Sequence, residues 1–251
     1  MTQSTNSPRR RNRDGIVIRG DYQALAHNSE NAAQRFWHQA KLRLIERVAA
    51  PASTDRALDA GCGSGVISHF LARRCASVVG SDSNPCAIDF ARQSYGGEKL
   101  QFVLGQFEDL AGSDAFDWIY SLEVIEHLYE EQVLEVLRLF KRLAKPGGHL
   151  LLTTPNYRSA WPVIEWMLDR LSLVPHLAGD QHISHFTKSK LSLACAKAGW
   201  SVIRLGTFNG FAPFLAPISY QMALRFEDWE DRWQNVLPGN LLFCVCRNDS
   251  E

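Results

Sequence analysis

Apolar residues along this chain gather into short runs near 56–60, 77–81, 100–104, 116–120, 148–154, 200–207 and 240–247. Their length, and the Gly, Pro, Asn and Ser residues around them, are those of buried strands. Between most of the runs the apolar positions return at helical spacing instead. Before the first run, Ala33, Phe36, Trp37, Ala40, Leu44, Ile45 and Val48 would share one helical face, with Asn28 or Ser29 as the N-cap and Pro51 past the end. Strands alternating with helices predict an α/β fold whose parallel sheet is covered on both faces. The last crossing, from Val202 to Arg247, shows no clear single helix.

Where the first run ends, Leu58-Asp59-Ala60 passes into Gly61-Cys62-Gly63-Ser64-Gly65 and then a helical stretch. Glycines at these positions let the backbone turn sharply and a ligand come close to it, and Asp59 sets a carboxylate at the lip of the turn. A plain tight turn would use the same spacing. The second run closes on Asp82, 23 positions after Asp59. Neighbouring strand ends lie side by side in a β-α-β unit, so an acid there can accept both hydroxyls of a ribose. Asp82 also suits a helix start before Pro85.

With these residues the chain resembles the class I S-adenosylmethionine-dependent methyltransferases, over roughly 55–207 and a final strand. The loop reads Asp-x-Gly-x-Gly-x-Gly; Phe116-Asp117-Trp118-Ile119-Tyr120 with Glu123-Val124-Ile125-Glu126-His127-Leu128 is similar to the family's fourth strand and the turn after it; Lys145-Pro146-Gly147-Gly148 before His149–Thr154 is similar to its entry to strand five. The resemblance implies a Rossmann-like, doubly wound, seven-stranded sheet with an antiparallel last strand and insertions that cover the substrate. It also implies that Asp59, Gly61, Gly63 and Gly65 hold the methionine end of S-adenosylmethionine, Asp82 the ribose and Gln106 and Phe107 the adenine, that Ser121 to Glu123 form the floor near the sulfonium, and that Cys62 and Ser83 also touch the cofactor. Gln106 stands where an acid is common, but its amide oxygen can accept from the adenine amino group. Packing in the core is the other reading of Phe107.

Glu123, Glu126 and His127 project from one face of a turn. Glu-x-x-Glu-His resembles the metal-binding motif of ubiquinone-pathway O-methyltransferases and of small-RNA 2′-O-methyltransferases, and His182 falls where the RNA group has its later histidine. By that resemblance Glu123, Glu126, His127 and His182 would bind magnesium, manganese or zinc, and the ion would lower an acceptor hydroxyl's pKa. The alternative has two helix-start acids, with His127 as a metal-free catalytic base or a structural partner and Glu123 and Glu126 beside it.

Composition narrows the partners. Lys plus Arg and Asp plus Glu number 27 each, so no overall positive field gathers nucleic acid or an anionic membrane. Residues 1–27, with Arg9, Arg10, Arg11 and Arg13, read as a disordered basic tail, and 28–251 as one methyltransferase domain. Two stretches depart from the strand–helix pattern, 155–186 and 208–238, both rich in aromatics; they would line or cover an apolar acceptor, or pack over the sheet edge. The six cysteines show no Cys-x-x-Cys pairing and read as small buried hydrophobes. No run reaches membrane-spanning length, which predicts a cytoplasmic protein with at most peripheral membrane contact. The leading expectation is methylation of a hydroxyl on a small aromatic or lipid-like molecule. An RNA-end 2′-O-methyltransferase and a non-catalytic nucleoside-binding module stand behind it; nucleic acid is not the expected partner. Oligomeric state leaves no mark in the sequence.

Overall fold

The computed structural model describes residues 20–110, 116–164, 182–234 and 236–250. In chain order it forms α1 (Tyr22–His27), α2 (Ala32–Val48), β1 (Arg56–Ala60), α3 (Val66–Ala72), β2 (Ser77–Asp82), α4 (Pro85–Tyr95), β3 (Leu100–Leu104), β4 (Phe116–Leu122), α5 (Glu130–Leu143), β5 (Ala144–Pro155), α6 (Lys188–Lys197), β6 (Ser201–Phe208), α7 (Ala212–Leu215), α8 (Tyr220–Arg232) and β7 (Leu241–Arg247). The strands make one sheet in the order β3-β2-β1-β4-β5-β7-β6. Neighbours from β3 to β5 pair in parallel, and β7 runs antiparallel to both β5 and β6.

Side-chain alternation along the strands divides the core into two layers. Leu58, Ile119, Leu150, Leu152, Leu242, Cys244 and Cys246 face the layer of α5 and α6, with Leu137, Phe140 and Leu191. Ala57, Tyr120, Leu151, Leu241, Phe243 and Val245 face the other, with Leu44 and Ile45 of α2, Leu71 of α3 and Ile88 of α4. The cysteines are buried apart from Cys86. The fold brings three of them together, Cys195 Sγ lying 4.0 Å from Cys244 Sγ and Cys246 Sγ 3.5 Å from Cys244 Sγ, inside the apolar layer of α5 and α6.

Three boundaries differ from the sequence-based expectation. Part of the expected tail is helical, since Tyr22–His27 forms α1, closed by Asn28 whose Nδ2 donates to Ala24 O at 3.0 Å. The N-cap of α2 is therefore neither Asn28 nor Ser29 but Asn31, whose side chain accepts from the N–H groups of Ala33 and Gln34. Strand β5 begins at Ala144, opposite Phe116, and Lys145–Gly148 bulges out before His149 pairs with Trp118. The run Arg9, Arg10, Arg11, Arg13 and residues 165–181, with Trp166 and Met167, lie outside the described residues.

The 208–238 segment packs on α2. Phe36 is buried with Ala212, Ala216 and Ala223, Arg43 Nε donates to Glu227 Oε2 at 2.5 Å, and Arg47 pairs with Asp231. No described helix is long and apolar enough to cross a membrane.

Candidate functional site

The glycine loop leaves the carboxyl end of β1 with Gly61, Gly63 and Gly65 at φ of +82°, +50° and +82°, a region open to glycine and strained for other residues. The amides of Gly61 and Cys62 both donate to Ser81 O, at 2.8 and 3.0 Å, which ties the turn to β2. Asp82 completes the tie, Oδ2 accepting from Gly63 N and Oδ1 from Asn84 N, each at 2.8 Å. The acid expected to meet a ribose thus also shapes the loop. Asp59 is buried and accepts from Ser68 Oγ at 2.6 Å. Burial pushes its carboxyl up to about 7, the charge of Asp82 adds to this, and the Ser68 hydroxyl opposes it.

Helix α1 lies over this loop, although nothing in the sequence marked it. Gln23 Oε1 accepts from Ser64 N at 3.2 Å, and a Cβ on Gly63 would stand 2.2 Å from that oxygen. A cleft between the loop and the N-terminal helices is lined by Gln23, His38, Lys41, Asp59, Gly61 and Leu122. On the β3 side, Leu104 pairs with Asp82 and is 46% exposed, while Ser83 and Gln106 are also exposed. Phe107 turns inward and meets Phe140 edge-on at 5.4 Å. It is half-buried against the core, and the exposed apolar surface beside Asp82 belongs to Leu104.

Strand β4 supplies the floor. Ser121 is fully buried and its hydroxyl has no partner among the described residues. Glu123 takes φ of +57°, a strain of about 1–2 kcal/mol for a non-glycine residue; its amide donates to Thr153 O at 3.0 Å and its carboxylate pairs with Lys41 of α2. Tyr22 lies alongside, its hydroxyl pKa raised by burial and by the charge of Glu123. His38 is pushed down to about 3 by burial and by the charges of Lys41 and His27.

A short 3₁₀ turn, Ile125–His127, then presents Glu126 and His127. Ile183 N and Ser184 N both donate to the backbone oxygen of Glu126, at 2.8 and 3.0 Å, which draws the distant 182–184 segment onto this turn. One ligating atom each from Glu126, His127 and His182 lies within 4.8 Å of the others. Of the four residues expected together, Glu123 is outside the cluster and its carboxylate pairs with Lys41. Glu126 is fully buried, with both carboxylate oxygens lacking a hydrogen-bond partner among the described residues. Burial raises its pKa to about 8, Glu123 adds to this, and His182 and the adjacent Thr154 hydroxyl, which stands outside hydrogen-bond geometry, work against it. One carboxylate and two imidazoles suit a divalent ion, and the unpaired buried carboxylate is where its charge would be compensated.

Aromatic rings flank the cluster. His127 and His182 lie 5.2 Å apart between ring centroids, Trp161 stands 6.2 Å from His182 and 5.4 Å from Trp37, and Tyr157 Oη is 3.0 Å from His182 Nδ1. Sequence reading missed Gln23, Tyr22, Lys41 and Leu104, and it reached Tyr157 only as part of the aromatic-rich 155–186 stretch. Of the four, Lys41 left a signal, as a charge on the stripe Trp37, Ala40, Leu44, Ile45, Val48 that α2 turns toward the sheet.

Comparison with known proteins agrees with this geometry. The sequence profile of a methyltransferase-domain family matches residues 31–205. Ubiquinone biosynthesis O-methyltransferase of Alkalilimnicola ehrlichii is 36% identical over 105 residues, covering 40% of this chain and 42% of that protein. Its namesake in Hahella chejuensis is 34% identical over 145 residues, covering 54% and 59%. The matches thus span about half the length of these relatives. Among solved structures, an S-adenosylmethionine-dependent methyltransferase from Archaeoglobus fulgidus aligns over 90% of this chain and 99% of its own, at a TM-score of 0.62 and 16% identity. The N-methyltransferase NodS from Bradyrhizobium japonicum, bound to S-adenosyl-L-homocysteine, aligns over 88% and 90%, at a TM-score of 0.55 and 18% identity. At these identities the structural likeness is one of fold. A sheet with an antiparallel seventh strand, a glycine loop after its first strand and a profile match over most of the chain converge: the protein belongs to the methyltransferase-domain family, among the class I S-adenosylmethionine-dependent methyltransferases.

Proposed function

We propose that the chain methylates a hydroxyl oxygen of a small aromatic or lipid-like acceptor. The observation that carries this reading is the buried, unpaired Glu126 carboxylate beside His127 and His182, next to the floor of the cofactor cleft. Methyl transfer is an in-line displacement: the acceptor oxygen forms a bond to the methyl carbon, the carbon–sulfur bond breaks, and S-adenosylhomocysteine leaves with the electron pair. An oxygen acceptor must also lose its proton, and positioned groups that take it speed the step. His127, the exposed member of the cluster, is the residue that meets the acceptor. Trp37 and Trp161 offer apolar faces to an aromatic ring or lipid-like chain. The relatives named ubiquinone biosynthesis O-methyltransferase support the same class of acceptor.

For the cofactor, Asp59 faces the ammonium of the methionine part, Gly61, Cys62, Gly63 and Gly65 let it approach the backbone, Asp82 accepts from the ribose with the lone pairs that the loop leaves over, and Leu104 packs on the adenine with Gln106 beside it. Glu126, His127 and His182 would hold a magnesium, manganese or zinc ion. Such an ion, when bound, lowers the pKa of an oxygen that it touches.

Production of S-adenosylhomocysteine from a panel of catechols and phenols, with and without prenyl tails, tests the reading. Chelator-treated protein should keep its affinity for S-adenosylhomocysteine in calorimetry and lose turnover until metal is restored. His127→Ala and His182→Ala should then be equally inactive. Full turnover after chelation rejects the ion and leaves His127 as a metal-free base, with only His127→Ala severe.

A further inference from the structure

Tyr157 follows β5 directly, and the fold holds it from several sides. Its amide donates to Phe186 O at 3.0 Å, and Asn156 before it bridges to Phe186. Its ring stacks on His185 with centroids 3.9 Å apart and planes 14° from parallel. His185 in turn places Nε2 3.2 Å from the backbone oxygen of His182. The phenol oxygen therefore sits at a fixed point, 3.0 Å from His182 Nδ1. His182 itself comes from a segment anchored through Ile183 and Ser184 to the backbone of Glu126. A histidine ring fixed at one nitrogen is fixed in orientation, and the bond made by one nitrogen sets what the other can do.

We propose that Tyr157 is the positioning residue for His182: its hydroxyl engages Nδ1 and so turns Nε2 toward Glu126 and His127. This deepens the reading of the same polar cluster and rests on it. In metal sites the partner on the far ring nitrogen holds the ligating imidazole in place, and losing it lowers metal affinity about 10- to 100-fold. The stack on His185 depends on the ring of Tyr157 and not on its hydroxyl, so Tyr157→Phe removes the bond and leaves the packing.

The test uses the whole chain, with and without Tyr157→Phe. Two readouts are taken: ring-nitrogen NMR of His182 in the metal-free protein, assigned with His182→Gln, and cobalt(II) titration followed by calorimetry and the visible spectrum. Tyr157→Phe should change the tautomer balance of His182 and weaken cobalt binding about 10- to 100-fold, while S-adenosylhomocysteine affinity and circular dichroism stay at wild type. Unchanged ring-nitrogen resonances overturn the proposal, and so does an unchanged cobalt affinity. A wild-type protein that binds no cobalt removes the metal reading alone, and the ring-nitrogen comparison then decides the role of Tyr157.

Discussion

Asp59 shows how a single residue joins stability to ligand binding. Its carboxyl is buried, with a pKa raised to about 7, so over most of the acidic range the folded protein holds a proton that the unfolded chain has released. The native state then binds more protons than the unfolded one, and its stability falls as pH rises from about 4 to about 7, by at most about 1.4 kcal/mol per pH unit. Melts of the cofactor-free protein should show Asp59→Asn less pH-dependent than wild type across this window, because Ser68 can donate to an amide oxygen as it does to the carboxylate. The same variant should bind S-adenosylmethionine more weakly in calorimetry, since a neutral amide pairs poorly with an ammonium group. Equal slopes in the two proteins would show that the carboxyl is not the group that titrates. Asp59 is thus costly to the empty fold and suited to the charge that it is expected to receive.

Among elements, α2 has the most demands on it. One face enters the sheet core through Leu44 and Ile45, another meets α7 and α8 through Phe36, and its middle carries Trp37, His38 and Lys41 to the site. Phe36→Ala should therefore lower stability by about 3–5 kcal/mol in denaturant unfolding and weaken S-adenosylhomocysteine binding, although Phe36 lines no part of the cleft. The helix itself was legible, because seven apolar residues at helical spacing outweigh one misplaced cap. Helix α1 was not, since six residues are too few to establish a period. The glycine loop was legible as a turn because three glycines at alternate positions after an apolar run mark one locally, and Asp82 because the second run ends on it; the bonds that tie them together, Gly63 N to Asp82 and Gly61 N to Ser81 O, left no local mark. The ion pair of Glu123 with Lys41 and the contact of Tyr157 with His182 join residues far apart in the chain, and local pattern holds no trace of such contacts. Phe107 was legible only as an aromatic after a strand end, which suits a ligand wall and a core equally; its packing against Phe140 comes from a helix that the local pattern does not reach.

At the scale of the molecule, strand order reverses direction between β1 and β4, and the site straddles that switch point. The ends of β1 and β2 carry the glycine loop and Asp82, the residues proposed for the cofactor, and the ends of β4 and β5 lead to Glu126, His127 and Tyr157. On the far side, β7 lies between β5 and β6 and pairs with both. A chain cut after Gly239 should expose the edge of β5, strand β6 should have no place in the sheet, and the product should aggregate and fail to retain S-adenosylhomocysteine on gel filtration. The same arrangement imposes a schedule on biosynthesis. Strands β1 to β5 can pair as they leave the ribosome, but β6 emerges before the strand that joins it to the sheet. It must wait, together with the helices that follow, until Leu241 to Arg247 have been made. For that interval the growing chain carries an unpaired strand and an open edge, the condition in which a holding chaperone has most to do.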